Sequence, residues 1–251
     1  MTSRPERVSI VVPCYNEAAR LNAAAFIGIA KLGHLSLLFV DDGSVDETAE
    51  ILKGMAFEHD GVQVLVLPAN MGKAEAVRAG MNSALAEGFS VVGYCDADLA
   101  TPPSELIRLV DALVGNVEFT AVFGSRVARL GSSIDRSNAR HYFGRVFASV
   151  ASWALGITVY DTQCGAKVFR ATPELRAALA EPFPSTWGFD VRLLSRLLNG
   201  TEHVPGMSPN SFLEVPLREW RDVKGSKVAL SGAALALADV IKLRFERAPR
   251  S

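Results

Sequence analysis

The chain has 251 residues with 26 Lys+Arg against 27 Asp+Glu, a formal net charge of −1, and is 49% apolar and 21% charged. This composition is ordinary for a globular protein, and the length suits one domain or one domain plus an extension. The charge balance excludes a dedicated nucleic-acid binder, which carries a basic surface. Three scattered cysteines, Cys14, Cys95 and Cys164, are too few for a disulfide framework or a zinc site and fit reduced thiols in the cytoplasm.

Met1–Arg7 run into an apolar segment without the long apolar core of a secretory leader. Val8–Val12, Leu37–Val40, Val62–Leu67 and Phe89–Tyr94 are short apolar runs that end at polar or turn residues, as buried parallel strands do. Helices are expected near Glu17–Lys31, Asp46–Glu58, Lys73–Glu87 and Ser104–Val114. Ser44-Val-Asp-Glu47 reads as a capping box for the second, and Pro102-Pro103-Ser104 starts the fourth. A fifth strand, Glu118–Gly124, follows. This alternation predicts an α/β fold with a doubly wound, mostly parallel sheet that binds ligands beyond the carboxyl ends of its strands.

The character then changes. Arg126–Arg145 holds five arginines (Arg126, Arg129, Arg136, Arg140, Arg145) against one acid and reads as a basic loop. A helix near Ala139–Leu155, with Phe147 and Trp153 as core residues, a strand near Ala166–Phe169 and a helix near Phe189–Leu198 come next. Phe212–Pro216 is an edge strand, since Pro216 lacks a donor. The tail from Arg218 has eight basic and four acidic residues. Its amphipathic segment Lys227–Arg247 either docks on anionic lipid or packs on the core or a dimer partner. The best candidate for a membrane span, Val146–Tyr160, is 15 uncharged residues, short of the roughly 20 that spanning needs, so a soluble or peripheral protein is expected. His34, His59, His141 and His203 have no ligand spacing.

The polar clusters all fall at ends of predicted strands: Pro13-Cys-Tyr-Asn-Glu17, Asp41-Asp-Gly-Ser44, Asn70-Met-Gly-Lys73 and Asp96-Ala-Asp98. In an α/β sheet these turns meet on one edge and build one pocket. Asp96 and Asp98, at i and i+2, point to one side in extended backbone and suit Mg²⁺ or Mn²⁺ shared with a substrate diphosphate, where an isolated pair would serve equally well as a helix cap. Asp41-Asp42 needs donors or a ligand to meet two adjacent acids. Asn70–Lys73 supplies the glycine and cation expected near a phosphate. No Walker or G-x-G-x-x-G pattern is present, which argues against an ATPase or NAD enzyme.

These motifs, Val-Ser-Ile-Val-Val-Pro13, Tyr15-Asn-Glu17, Val-Asp-Asp-Gly-Ser44, Asn70-x-Gly-Lys73 and Asp96-Ala-Asp98, resemble those of the family 2 glycosyltransferases of GT-A fold. Gly124-Ser-Arg126, Asp161-Thr-Gln-Cys-Gly165-x-Lys167-x-Phe169-Arg170, Trp187-x-Phe189-Asp190 and Trp220…Gly225-Ser-Lys227 resemble the dolichyl-phosphate β-glucosyltransferase branch, kin to polyprenyl-phosphate mannosyl- and glucosyltransferases. The resemblance spans about residues 7 to 247, with the motifs in the family's order. It implies a GT-A domain over 1–217, with a nucleotide-sugar half at about 7–124 and an acceptor half at about 125–217, and a basic helical extension over 218–251.

The resemblance further implies inverting, metal-dependent transfer of a hexose, glucose favoured, from UDP-sugar (GDP-sugar as the lesser option) to a polyprenyl phosphate at the cytoplasmic membrane face. Pro13, Tyr15, Glu17, Asp42 and Lys73 would hold the nucleoside, Asp96 would lie near ribose and metal, and Asp98 would ligate Mg²⁺ or Mn²⁺. Arg126, Arg136 and Arg140 match arginines that meet donor diphosphate and acceptor phosphate; Gln163, Lys167, Trp187 and Asp190 would line the sugar and acceptor side, and Lys227 sits in the matching Gly-Ser-Lys motif. Ala100 stands where mannosyl relatives often place a metal-ligating Gln, which agrees with the glucosyl branch and leaves diphosphate and water to complete the metal shell. The membrane anchors of many relatives are not found. A phosphate acceptor needs charge neutralisation, for which the arginine loop, Arg126 above all, is suited. A hydroxyl acceptor needs a general base, for which Asp190 is the candidate, its alternative being a helix N-terminal acid. Another acceptor, or a non-catalytic nucleotide-sugar-binding module, are the competing readings. A homodimer fits the tail helix equally well.

Overall fold

Apolar runs of the first half form one side of the sheet, out to its edge. The computed structural model describes residues 6–31, 35–135, 138–184, 188–223 and 230–246, excepting side chains at 138–141, 143, 230–236 and 246. Strands β1 (Val8–Cys14), β2 (Leu35–Asp41), β3 (Val62–Val66) and β4 (Val91–Cys95) are each followed by a helix: α1 (Ala23–Ala30), α2 (Thr48–Glu58), α3 (Lys73–Ala86) and α4 (Pro103–Val114). Then come β5 (Ala121–Ser125), β6 (Ser133–Asp135), α5 (Asn138–Leu155), β7 (Ala166–Arg170), α6 (Pro173–Ala180), α7 (Phe189–Asn199), β8 (Phe212–Pro216), β9 (Glu219–Arg221) and α8 (Leu230–Glu246).

Among the described residues the main sheet has seven strands in the order β3-β2-β1-β4-β7-β5-β8. Neighbours are parallel except β7, which is antiparallel to both β4 and β5. This single reversal brings the turn before β7 to the edge where β1, β2 and β4 end. Helices cover both faces. Met81, Leu193 and Leu197 belong to one apolar cluster, and Phe26, Leu52 and Leu109 to the other. Each such side chain contributes about 1.5–3 kcal/mol on burial.

Local differences from the sequence reading have local causes. The first helix begins at Ala23 rather than Glu17, because the Asn22 side chain accepts from the Ala25 N–H (3.1 Å) and caps it there. Ser44 is not the cap of α2: its hydroxyl accepts from the Asn16 N–H (3.0 Å), while Asp46 Oδ1 accepts from the Thr48 N–H (3.1 Å) at the helix start. The basic loop contains a strand, since β6 pairs in parallel with β9. Helix α6, with Pro173 in its first turn and Thr172 accepting from the Leu175 N–H (3.3 Å), has no counterpart among the helices expected from the sequence. Phe147 is core, but Trp153 is 52% exposed, with the Arg244 guanidinium 5.8 Å from its ring centre. β8 lies at the sheet edge, as Pro216 requires. The tail helix α8 packs on α5 and α7 through buried Val240 and Leu243, leaving Ile241 and Phe245 exposed. Among the described residues no helix is long and apolar enough to cross a membrane.

Candidate active site

The site is assembled from strand ends. At the end of β2, Asp42 accepts the Met71 N–H on Oδ1 (2.7 Å) and the Gly72 N–H on Oδ2 (2.8 Å), tying the 69–72 turn to β2. Gly43 allows this contact. Its φ is +67°, and a Cβ there would lie 2.5 Å from the Ala69 carbonyl carbon. Burial raises the Asp42 carboxyl above its ordinary value, against the pull of those two N–H groups. Beyond β1, Asn16 has φ +53°, and its Oδ1 accepts from the Val45 N–H (2.9 Å), while the Glu17 N–H donates to Thr48 Oγ1 (2.8 Å). The Glu17 carboxylate takes both the Nε and the Nη2 of Arg20.

Lys73 opens α3 and reaches across to β4, its Nζ 2.5 Å from Asp96 Oδ1. Burial works against its charge, but Asp96, Asp190 and Asp98 together hold the ammonium above its usual value. Asp98 Oδ1 accepts from the Ala100 N–H (3.0 Å), in a turn that places Leu99 at φ +53°. That is a strained conformation for a leucine, of the kind stored at functional sites. Burial first, and then the charge of Asp96, push the Asp98 carboxyl up. A hard cation would relieve this crowding of like charge, and the oxygen donors of Asp96 and Asp98 fit one. Among the described residues no group of three or more His, Cys, Asp and Glu side chains is placed to hold a metal.

The structure thus brings Pro13, Tyr15, Glu17, Asp42, Lys73, Asp96 and Asp98 to the wall of one open cleft of about 320 Å³, within the size range of small-molecule sites. Arg20 and Asn70 line it as well. Arg20 had no signal in the sequence beyond its i+3 spacing from Glu17.

The remaining candidates lie apart from that wall. The Arg126 guanidinium is clasped by Asp161 (Nε–Oδ2 2.6 Å, Nη2–Oδ1 2.8 Å) and lies 5.3 Å from the Trp220 ring centre. Burial opposes its charge, but Asp161 outweighs burial and raises it. Gln163 follows in the same turn, its N–H donating to Asp161 Oδ1 (3.1 Å) and its Nε2 buried without a partner. Lys167 and Asp190 are buried together. Lys167 Nζ is 2.5 Å from both Asp190 Oδ1 and the Cys164 carbonyl oxygen, and the Tyr94 hydroxyl donates to the same Asp190 oxygen. Burial and then Asp190 push the Tyr94 phenol well up, so it remains a donor. Tyr94 was missed because, in sequence, it is one more residue of an apolar strand. Arg136, Trp187 and Lys227, and the side chain of Arg140, lie outside the described residues. The three thiols are buried and free, and burial pushes Cys164 up to about 11, which leaves no thiolate nucleophile at neutral pH.

The sequence profile of glycosyl transferase family 2 matches residues 9–175. Relatives include dolichyl-phosphate beta-glucosyltransferase ALG5C of Trichomonas vaginalis, 31% identical over 94% of this chain and 70% of that one. Polyprenol monophosphomannose synthase of Mycolicibacterium smegmatis is 28% identical over 98% of this chain and 92% of that one. Among solved structures, glucosyl-3-phosphoglycerate synthase from Mycobacterium tuberculosis, in complex with Mn²⁺, uridine diphosphate and glucosyl-3-phosphoglycerate, superposes with a TM-score of 0.66 at 19% identity, over 97% of this chain and 82% of that one. At that identity the likeness speaks for the fold, which is GT-A. With the family profile matched over most of its length, the chain belongs to glycosyl transferase family 2 and is a glycosyltransferase.

Proposed function

We propose that the chain transfers a hexose, glucose in our reading, from a UDP-sugar to a polyprenyl phosphate, with inversion and with a divalent cation at Asp96 and Asp98. The donor side is supported by the cleft, whose wall joins two carboxylates, the Lys73 ammonium and the Asp42-braced turn. The observation that carries the acceptor is the state of Asp190. The carboxylate that would serve a hydroxyl acceptor as general base is buried, with Lys167 and Tyr94 both on its Oδ1. An acceptor phosphate is already an anion and needs no such base. Relatives that act on dolichyl or polyprenyl phosphate match nearly the whole chain, which supports the same reading.

In this reaction an acceptor phosphate oxygen forms a bond to the anomeric carbon on the face opposite the leaving diphosphate, and the bond from that carbon to the diphosphate oxygen breaks. No proton has to be removed. Lys73 faces the charge that builds on the leaving group, and the acceptor meets the basic 126–145 segment, where Arg129 and Arg145 are exposed. Arg126 is committed to Asp161 and orders the turn that carries it. A bound divalent cation supplies Lewis-acid stabilisation of the leaving diphosphate. Such an acceptor sets the reaction at a membrane surface, and the buried free thiols fit its cytoplasmic face.

The test is a panel of UDP- and GDP-hexoses with Mn²⁺ or Mg²⁺ and a short polyprenyl phosphate, read as lipid-linked sugar and its anomeric configuration. The expected result is inverted product from UDP-glucose, reduced about 10²-fold or more by Asp98→Ala or by chelation of the metal. Turnover that survives chelation, or product from another donor alone, overturns the corresponding part of the reading.

A further inference from the structure

β7 runs antiparallel to β4, with Cys95 opposite Ala166 and Tyr94 opposite Lys167. One step beyond that ladder Asp96 meets Gly165. A Cβ on Gly165 would stand 2.0 Å from Asp96 Oδ2, 2.4 Å from its Cγ and 2.8 Å from its Oδ1. The whole carboxylate therefore occupies the space that any side chain at 165 would need. Gly165 is not among the positive-φ glycines, so space rather than backbone conformation requires glycine here.

The turn that carries Gly165 is braced from three directions. From β8, Glu214 accepts the N–H groups of Tyr160 (2.8 Å) and Asp161 (2.6 Å). From the end of β5, Arg126 donates its backbone N–H to Asp161 Oδ2 (3.1 Å) in addition to its guanidinium bonds. From within β7, Lys167 Nζ holds the Cys164 carbonyl (2.5 Å) and is itself held by Asp190. A turn tied at both ends cannot yield to a methyl group, so the carboxylate has to.

We propose that the Asp161–Gly165 turn is the seat of the Asp96 carboxylate and that Gly165 is a positioning residue for the diphosphate-and-cation end of the cleft. The inference deepens the proposed function and rests on it, because it takes Asp96 as a metal ligand. It assigns the buried Lys167–Asp190–Tyr94 network to holding the seat rather than to touching substrate. A methyl at 165 drives the carboxylate off the seat, away from its 2.5 Å contact with Lys73 and out of register with Asp98. Metal–ligand distances tolerate only about 0.2 Å.

The experiment uses the full chain and the variants Gly165→Ala, Asp96→Ala and the double variant. Mn²⁺ uptake with UDP is read by electron paramagnetic resonance, UDP binding in chelator by calorimetry, and thermal unfolding alongside. For Gly165→Ala we expect Mn²⁺ affinity with UDP to fall about tenfold or more, with UDP binding in chelator unchanged. We expect its unfolding midpoint to drop in the wild-type background but not in the Asp96→Ala background, where no carboxylate remains to be displaced. Wild-type Mn²⁺ affinity in Gly165→Ala overturns the proposal. So does an equal drop in midpoint in both backgrounds, which would mean that the methyl disrupts the turn itself. Wild-type protein that takes up no Mn²⁺ with UDP overturns the metal-dependent reading, and the seat with it, before any substitution is made.

Discussion

Asp190 accepts from Lys167 and Tyr94 in a buried network, so replacing it does more than remove an acid. Asp190→Asn leaves a buried ammonium without its counter-charge, at a cost of about 3–5 kcal/mol. Adding Lys167→Met removes the stranded charge, so the double variant should be more stable than Asp190→Asn alone in chemical denaturation. A double variant as unstable as the single one would contradict the pairing. Substitution at Asp190 therefore does not sort acceptors by itself, since lost stability would mask lost basicity. At this scale the residues legible in the sequence were those at strand ends. Asp42, Lys73, Asp96 and Asp98 could be gathered from the α/β alternation alone, since parallel strands deliver their ends to one edge. Pairings across long sequence separations were not legible: Tyr94 meets Asp190 96 residues away, and Arg126 meets Asp161 35 residues away. Arg126 and Lys167, free charges in the sequence, became in the fold members of closed ion pairs.

The 160–165 turn lies against Asp96 beyond the end of β4, and Glu214 is its brace from β8. Burial raises the Glu214 carboxyl against the pull of the N–H groups of Tyr160 and Asp161. A carboxyl raised in the folded state contributes stability below its unfolded value, and this is lost as pH rises through the raised folded value. Unfolding free energies of wild type and Glu214→Gln, compared between about pH 4 and pH 7, should therefore show the wild-type advantage shrinking with rising pH. An advantage that grows over that range would contradict the burial of this group. Elements that carry their own periodicity, such as β1, β2, α3 and α4, were legible. The capping box failed because the Ser44 hydroxyl is taken by a backbone N–H from 28 residues away. Three-residue strands such as β6 and β9 have too little pattern to be seen before they pair.

For the whole molecule, the doubly wound half was legible as a fold class, but the reversal of β7 was not. It is this reversal that carries the Asp161–Gly165 turn to the edge where Asp96 and Asp98 emerge. The tail helix, which the sequence left between a lipid-docking and a packing role, has its inner face in the core at Val240 and Leu243. On the proposed function this is a transferase whose acceptor arrives already ionised. The measurement that tests this most directly compares a polyprenyl phosphate with the polyprenyl alcohol of equal length as acceptors for UDP-glucose with Mn²⁺, scored as kcat/KM. The phosphate should be favoured by at least about 10²-fold, the scale of a missing general base. Equal or better transfer to the alcohol would contradict a phosphate acceptor and return Asp190 to the role of base.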